Sequence, residues 1–197
     1  MYENKLKRLF DFIISLLALI IISPILFLLF VLVKYESSGP FIFAQERVGK
    51  ELKIFTIFKI RTMTEDASKD ANDKNTQYIT TRVGDSRITR VGKILRKYHL
   101  DEIPQFLNVL KGEMSIIGVR PDHISQEKDY HPDLWVKRNS LKPGITGLSQ
   151  IKSNKFSSNL RSRDVYDIFY INNKKKFQLD LYIFLMTLKK IFKGGSF

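Results

Sequence analysis

An apolar run from Leu9 to Val33, interrupted near its middle by Ser23-Pro24, constrains this chain more than any other feature. About 20 apolar residues suffice to cross a bilayer, so the run is long enough. Yet Asp11 sits just inside its start. Pro24 lacks an amide hydrogen and clashes with the preceding turn, so it kinks a helix. The hydroxyl of Ser23 is suited to satisfy a backbone group freed by that kink. Lys5, Lys7 and Arg8 precede the run and Lys34 follows it. The excess of positive charge on both flanks favours the cytoplasm for both ends. A single span cannot satisfy that, whereas a re-entrant helical hairpin can. Proline is nevertheless tolerated in spanning helices, so the residues alone leave a kinked span and a re-entrant hairpin about even. The run is too long for the apolar core of a secretory signal, and no Ala-x-Ala site follows it.

With 197 residues, the chain reads as a membrane segment over 1–38 and one globular domain over 39–197. That body is large enough to bury a core. The absence of cysteine excludes disulfides, thiolate zinc sites and cysteine nucleophiles. A formal net charge of +13 implies an anionic partner. Charge alone would suit nucleic acid, but beside a membrane segment anionic phospholipid and phosphorylated substrates take precedence. Nucleic acid is set aside as a partner on that ground, and steeply salt-dependent DNA binding would restore it.

Gly39-Pro40 ends the membrane segment. Phe41–Gln45 and Leu52–Phe58, separated by Gly49-Lys50, predict a β-hairpin. Residues 64–85 are polar and predict a loop or weak helix. Ile88, Val91, Ile94, Leu95 and Tyr98 recur at helical spacing and predict a helix over 87–98. A second helix is expected over 104–110, with Pro104 in its first turn and Gly112 as its stop. Prolines punctuate the next region, with a helix expected on either side of Trp135. The stretch from Leu179 to Phe192 suits an interfacial amphipathic helix or a core helix equally.

Asp101-Glu102-Ile103-Pro104-Gln105 is the densest candidate for chemistry. Acidic residues favour helix N-termini, which is the ordinary explanation of such a pair. The same place keeps a carboxylate ionised and favours phosphate nearby. One carboxylate could then be a nucleophile and the other a ligand for Mg²⁺, which takes one or two carboxylates plus substrate phosphates. Arg82, Arg87, Arg90, Arg96 and Lys97 precede the pair, and Lys111 and Arg120 follow it. Arginine suits bidentate phosphate contacts, although a solvated basic face is the usual reading of such a stretch. Lys59 and Arg61, at the end of the second hairpin strand, are further candidates. Lys142-Pro143-Gly144-Ile145-Thr146-Gly147 could bring backbone close to a phosphate, but an ordinary turn explains it as well. No nucleotide-hydrolase phosphate loop, His-x-x-x-His pair or Gly-x-Ser-x-Gly elbow is present.

Several segments, in order, resemble the bacterial sugar transferase family, the small monotopic phosphoglycosyl transferases. They are Lys7-Arg8-Leu9-Phe10-Asp11, Ser23-Pro24, Gln45-Glu46-Arg47-Val48-Gly49, Phe58-Lys59-Ile60-Arg61-Thr62-Met63 and Arg87-Ile88-Thr89-Arg90-Val91-Gly92. Leu100-Asp101-Glu102-Ile103-Pro104-Gln105, Asn108–Ser115 and Pro143-Gly144-Ile145-Thr146-Gly147 complete the set. The resemblance implies a mainly α fold with a small β-hairpin (α+β). It also implies a re-entrant membrane helix broken at Ser23-Pro24 and a cytoplasmic catalytic domain with interfacial amphipathic helices, at the bacterial inner membrane. It implies transfer of a sugar-1-phosphate from a UDP-sugar to a polyprenyl phosphate, with release of UMP. In that scheme Asp101 is the nucleophile and forms a phosphosugar-aspartate. Glu102, with Asp101, holds Mg²⁺, and Lys59, Arg61, Arg87, Arg120, Lys142, Lys152 and Lys155 are the phosphate-binding candidates.

The sequence departs from the family in three places. Gly118-Val119-Arg120-Pro121 stands where Gly-Pro-Arg-Pro is usual, and Lys142 stands where arginine is common. After Gln150 the family's Gly-Arg-Asn segment is replaced by Ile151-Lys152-Ser153-Asn154-Lys155, and the tryptophan segment beyond it is missing. Lysine is a point charge rather than a fork, so the reaction type is better supported than the sugar. A catalytically silent membrane-bound scaffold protein is the rival reading. The sugar, the pathway and the oligomeric state, a homodimer included, stay open.

Overall fold

The computed structural model describes residues 5–64, 85–152 and 160–192. The first element, α1 (Lys5–Glu36), is one helix of 32 residues with Pro24 inside it. The expected membrane hairpin is therefore not two separate helices. Ser23 Oγ donates to the Ile20 carbonyl at 2.8 Å, the group left without a partner by the missing amide hydrogen of Pro24. It is the only helix among the described residues that is long and apolar enough to cross a membrane.

Both ends of α1 dock on the same body, while its middle does not. Near its start, Asp11 and Ser15 are buried. Asp11 accepts from Ser115 Oγ at 2.8 Å and from the Ile116 amide at 3.3 Å, while Arg8 donates to the Val109 and Leu110 carbonyls. Near its end, Leu29 and Val33 pack with Ile60 and Leu95. Between these anchors the apolar side chains face outward, with Ile21 71 % and Phe27 73 % exposed.

The hairpin forms as expected but shifted. β1 (Ile42–Val48) pairs antiparallel with β2 (Ile54–Ile60), from Ile42 opposite Ile60 to Val48 opposite Ile54. The turn holds Glu51 and Leu52 at φ 58° and 61°, in the left-handed region. α2 (Arg90–Lys97) begins three residues later than its periodicity suggests. Ile88 bridges to Met63, and Thr89 caps the helix by accepting from the Gly92 amide at 2.9 Å. Glu36, the last residue of α1, accepts from the two orphan amides that precede that of Gly92, Arg90 at 2.6 Å and Val91 at 2.8 Å.

α3 (Gln105–Lys111) ends at Gly112, which takes φ 85° as the stop signal requires. β3 (Ser115–Ile117) then pairs in parallel with β4 (Gly144–Thr146). The glycine-bearing stretch around Pro143 is thus a buried strand. A Cβ on Gly144 would lie 2.1 Å from the Gly118 amide nitrogen, so the glycines allow two backbones to meet.

Trp135 lies within α4 (Pro132–Arg138), not between two helices, because Pro132 occupies its first turn. A 3₁₀ segment (Ile124–Asp129) precedes it. α5 (Leu148–Lys152), α6 (Leu160–Asn172) and α7 (Lys176–Phe192) complete the chain. The main core joins Phe55 and Ile57 of β2, Val109 of α3 and Met114, Ile116, Ile117 and Val119 around β3. Leu148, Tyr170 and Ile183 close it. α7 is two-faced: Ile183 is fully buried, while Phe177, Leu181, Leu185 and Leu188 form an exposed apolar stripe. The architecture is mainly helical with two small sheets.

Candidate active site

Asp101 and Glu102 occupy a 3₁₀ turn (Leu100–Glu102) entered through His99 in the left-handed conformation, φ 57°. The turn leads through Pro104 into α3, and α3 is pinned to β2 by one fully buried side chain. Asn108 accepts from the Phe58 amide at 3.2 Å and donates to the Thr56 carbonyl at 2.7 Å. These groups lie on the edge of β2 that β1 does not cover. The next residue of β2 is Lys59, and this register delivers its ammonium to Glu102.

Lys59 Nζ stands 2.7 Å from Glu102 Oε1, and Arg120 Nη2 donates to the same oxygen at 3.2 Å. Burial disfavours the charge of Glu102, but Lys59 and Arg120 outweigh it and hold the carboxyl well below the ordinary carboxylate range. Asp101 differs. Burial, reinforced by the negative charge of Glu102, pushes its carboxyl up, while Lys59, Arg96 and His99 partly oppose the rise. Among the described residues, the Asp101 carboxylate enters no hydrogen bond or ion pair. The turn thus presents one buried carboxylate clamped by two cations beside another that lacks a partner.

No cluster of three or more metal-ligating side chains occurs among the described residues. An all-protein cage is therefore not formed there, but the pair fits Mg²⁺, which is bound through one or two carboxylates plus substrate phosphates.

The other predicted phosphate ligands are dispersed. Arg61, two residues beyond Lys59, is 2 % exposed and donates to the Ser37 carbonyl beyond the end of α1 at 2.7 Å. Arg87 forks onto Asp85 at 2.9 and 2.7 Å. Lys142 lies at the far end of α3, where a Cβ on Gly112 would be 3.9 Å from its Nζ. Lys152 is exposed, with its ammonium 5.4 Å from the ring centre of Tyr182. Lys155 and Arg82 fall outside the described residues. Of the six predicted ligands that are described, only Lys59 and Arg120 touch the carboxylate pair. A buried ionic cluster behind Arg120, formed by Asp122, Arg138, Asp167 and Arg163, carried no signal in the sequence. Its members lie between Asp122 and Asp167 in the chain and become neighbours only through tertiary packing.

A buried carboxylate pair met by two cations thus sits on a mainly helical body whose first helix is long and apolar enough to cross a membrane. The family model described as bacterial sugar transferase matches residues 2–194, and the chain belongs to that family. It is 41 % identical to a UDP-glucose:undecaprenyl-phosphate glucose-1-phosphate transferase of Klebsiella pneumoniae, over 95 % of this chain and 40 % of that protein. It is 36 % identical to a UDP-N-acetylgalactosamine-undecaprenyl-phosphate N-acetylgalactosaminephosphotransferase of Aeromonas hydrophila, over 96 % of this chain and 44 % of that one. The chain thus spans less than half the length of these two relatives. By contrast, the match to the exopolysaccharide production protein PSS of Rhizobium leguminosarum bv. phaseoli, at 33 % identity, covers 98 % of both chains.

Proposed function

We propose that this chain transfers a sugar-1-phosphate from a UDP-sugar to a polyprenyl phosphate such as undecaprenyl phosphate, releasing UMP and initiating a surface polysaccharide. Membership of the family and the names of the relatives support the reaction class. The observation that carries it is the buried Asp101 carboxylate, which makes no hydrogen bond or ion pair with the described residues, beside the clamped Glu102.

In this reading an Asp101 oxygen attacks the phosphorus nearest the sugar. The bond from that phosphorus to the bridging oxygen breaks, and UMP departs. A phosphate oxygen of the polyprenyl phosphate then attacks the same phosphorus, the bond to Asp101 breaks, and the polyprenyl diphosphate sugar is released. Splitting the transfer in two lets a soluble donor and a membrane-bound acceptor use one site in turn. Lys59 and Arg120 stabilise the developing phosphoryl charge and hold Glu102 ionised. Mg²⁺, when held by Glu102 and Asp101, would neutralise charge on the diphosphate. Arg61, Arg87, Lys142 and Lys152 are kept as weaker candidates for phosphate contact, away from the carboxylate pair, and Lys155 lies outside the described residues.

We also read α1 as re-entrant, within a membrane segment over 1–38 and a catalytic domain over 39–197 on the cytoplasmic face. A straight helix of 32 residues would be about 48 Å long. A body of roughly 160 residues has a radius of gyration of about 15 Å, hence a diameter of about 40 Å. Both ends of α1 dock on that body while the middle faces outward, which a bend near Pro24 accommodates. Neighbouring apolar stripes, such as that of α7, suit the headgroup region of an anionic bilayer.

The test is UMP release by the lipid-reconstituted protein given a panel of UDP-sugars, polyprenyl phosphate and Mg²⁺. Asp101→Asn should abolish release and prevent trapping of a phosphosugar adduct. A folded wild type that releases no UMP from any donor overturns the reading. Labelling that places Met1 and Asp101 on opposite sides of the membrane overturns the re-entrant part alone.

A further inference from the structure

Arg138, the last residue of α4, is the most deeply buried cation among the described residues, 1 % exposed. Its guanidinium forms an ion pair with Asp122 and lies 2.8 Å from Asp167 Oδ2, to which Nε also donates at 3.0 Å. Nη2 donates in addition to the Arg120 carbonyl at 3.2 Å. Asp122 accepts from Tyr130 Oη at 3.0 Å and from Arg163 Nη2 at 3.2 Å. We propose that Arg138, held by Asp167, is a positioning residue for the transfer: it fixes the Val119–Asp122 segment so that Arg120 reaches Glu102. This rests on the function proposed above.

The backbone of this segment is held at successive points. The Val119 carbonyl accepts from the Gly144 amide at 2.9 Å, the Arg120 carbonyl from Arg138, and the Asp122 carbonyl from the Val48 amide at 3.0 Å. Pro121 restricts φ between them. The Arg120 side chain is 39 % exposed and would otherwise sample many rotamers. With its Cα fixed, Nη2 meets Glu102 Oε1 at 3.2 Å.

Fold stability alone does not account for the cluster. Asp122 and Asp167 face Arg138 and Arg163, with Asp164 close enough to feel both arginines; taking these charges out of water is costly, and an apolar group of similar shape often stabilises as well or better. What the ionic version adds is direction. One planar fork reaches Asp122, Asp167 and the Arg120 carbonyl together, which a lysine at the same place cannot do.

The test uses the full-length protein in lipid nanodiscs. Arg138→Lys should lower kcat by about 100-fold, the cost of a misplaced group near the reacting centre. KM for the UDP-sugar should move by less than about threefold, since binding in the ground state is little altered. In an Arg120→Ala background, the same change should lower kcat by less than about threefold, because the two act as one unit. Equal losses in both backgrounds overturn the inference. Without substrate, exchange of the Val48 amide, which donates to the Asp122 carbonyl, should accelerate in Arg138→Lys while that of α7 stays unchanged; unchanged exchange at Val48 also overturns it. If Arg138→Lys does not fold, Asp167→Asn is carried through the same cycle. Wild-type protein that releases no UMP refutes the transfer reading, whereas UMP release with an unaltered kcat in Arg138→Lys refutes this inference alone.

Discussion

Asn108 offers the sharpest energetic test of how the site is held. Its amide substitutes for a missing strand along the open edge of β2, accepting from the Phe58 amide and donating to the Thr56 carbonyl. It also donates to Glu113 Oε2 at 2.7 Å. Asn108→Asp is nearly isosteric and keeps an acceptor for Phe58, but loses both donated bonds and sets a second carboxylate against Glu113. A neutral bond contributes about 1 kcal/mol net and one to a charged group about 1.5–3, so the expected loss is about 3 kcal/mol. A domain is stable by only about 5–15 kcal/mol, so this is a large fraction of the total. At about 2–4 °C per kcal/mol, Tm should fall by about 6–12 °C. The assay is a urea midpoint in mixed micelles at neutral pH, with UMP release measured in parallel. Because Lys59 follows Phe58 and the carboxylate pair leads into α3, turnover should fall with the lost register. A change within about 0.5 kcal/mol of wild type would refute the strand-substituting role of the amide.

Three further outcomes follow from named contacts. His123 Nδ1 accepts from the Ser125 amide at 3.2 Å, and burial, with Arg47 adding to it, pushes its pKa below the usual histidine value. The unfolded chain therefore binds that proton first, so stability should fall as pH drops below about 6.5; His123→Gln should remove that part of the pH dependence of the urea midpoint. Gly92→Ala would set a Cβ 2.1 Å from the Thr62 carbonyl oxygen, a backbone clash that should cost about 1–3 kcal/mol in the same denaturation assay. Lys59→Met leaves Glu102 without the cation at 2.7 Å; UMP release should fall by about 10²–10³-fold, with partial recovery in Lys59→Arg.

Sequence alone determined what depends on neighbours along the chain. The hairpin, α2, α3 with its Gly112 stop, the long apolar helix and the acidic pair at a helix entrance all follow from short-range period, capping and turn chemistry. Ser23 and Pro24 were legible as a unit because the hydroxyl and the missing amide hydrogen act on one carbonyl, that of Ile20. Which cations serve the pair was not legible. Lys59 and Arg61 share a strand face by alternation, yet β2 ends at Ile60, and Arg61 turns to the backbone beyond α1. Trp135 was misplaced because a proline can equally end one helix or begin the next. Nothing in the neighbours of Arg138 along the chain, Lys137 and Asn139, marks it as buried. Its burial depends on Asp167, which the packing of α4 against α6 brings within reach, and on Asp122 from the segment after β3. Local chemistry could single out the acidic pair because its two members are adjacent. The arginine that reaches Glu102, and the buried guanidinium that aims it, required the tertiary fold, since a charge acts over a few ångströms of space and not over positions in a chain.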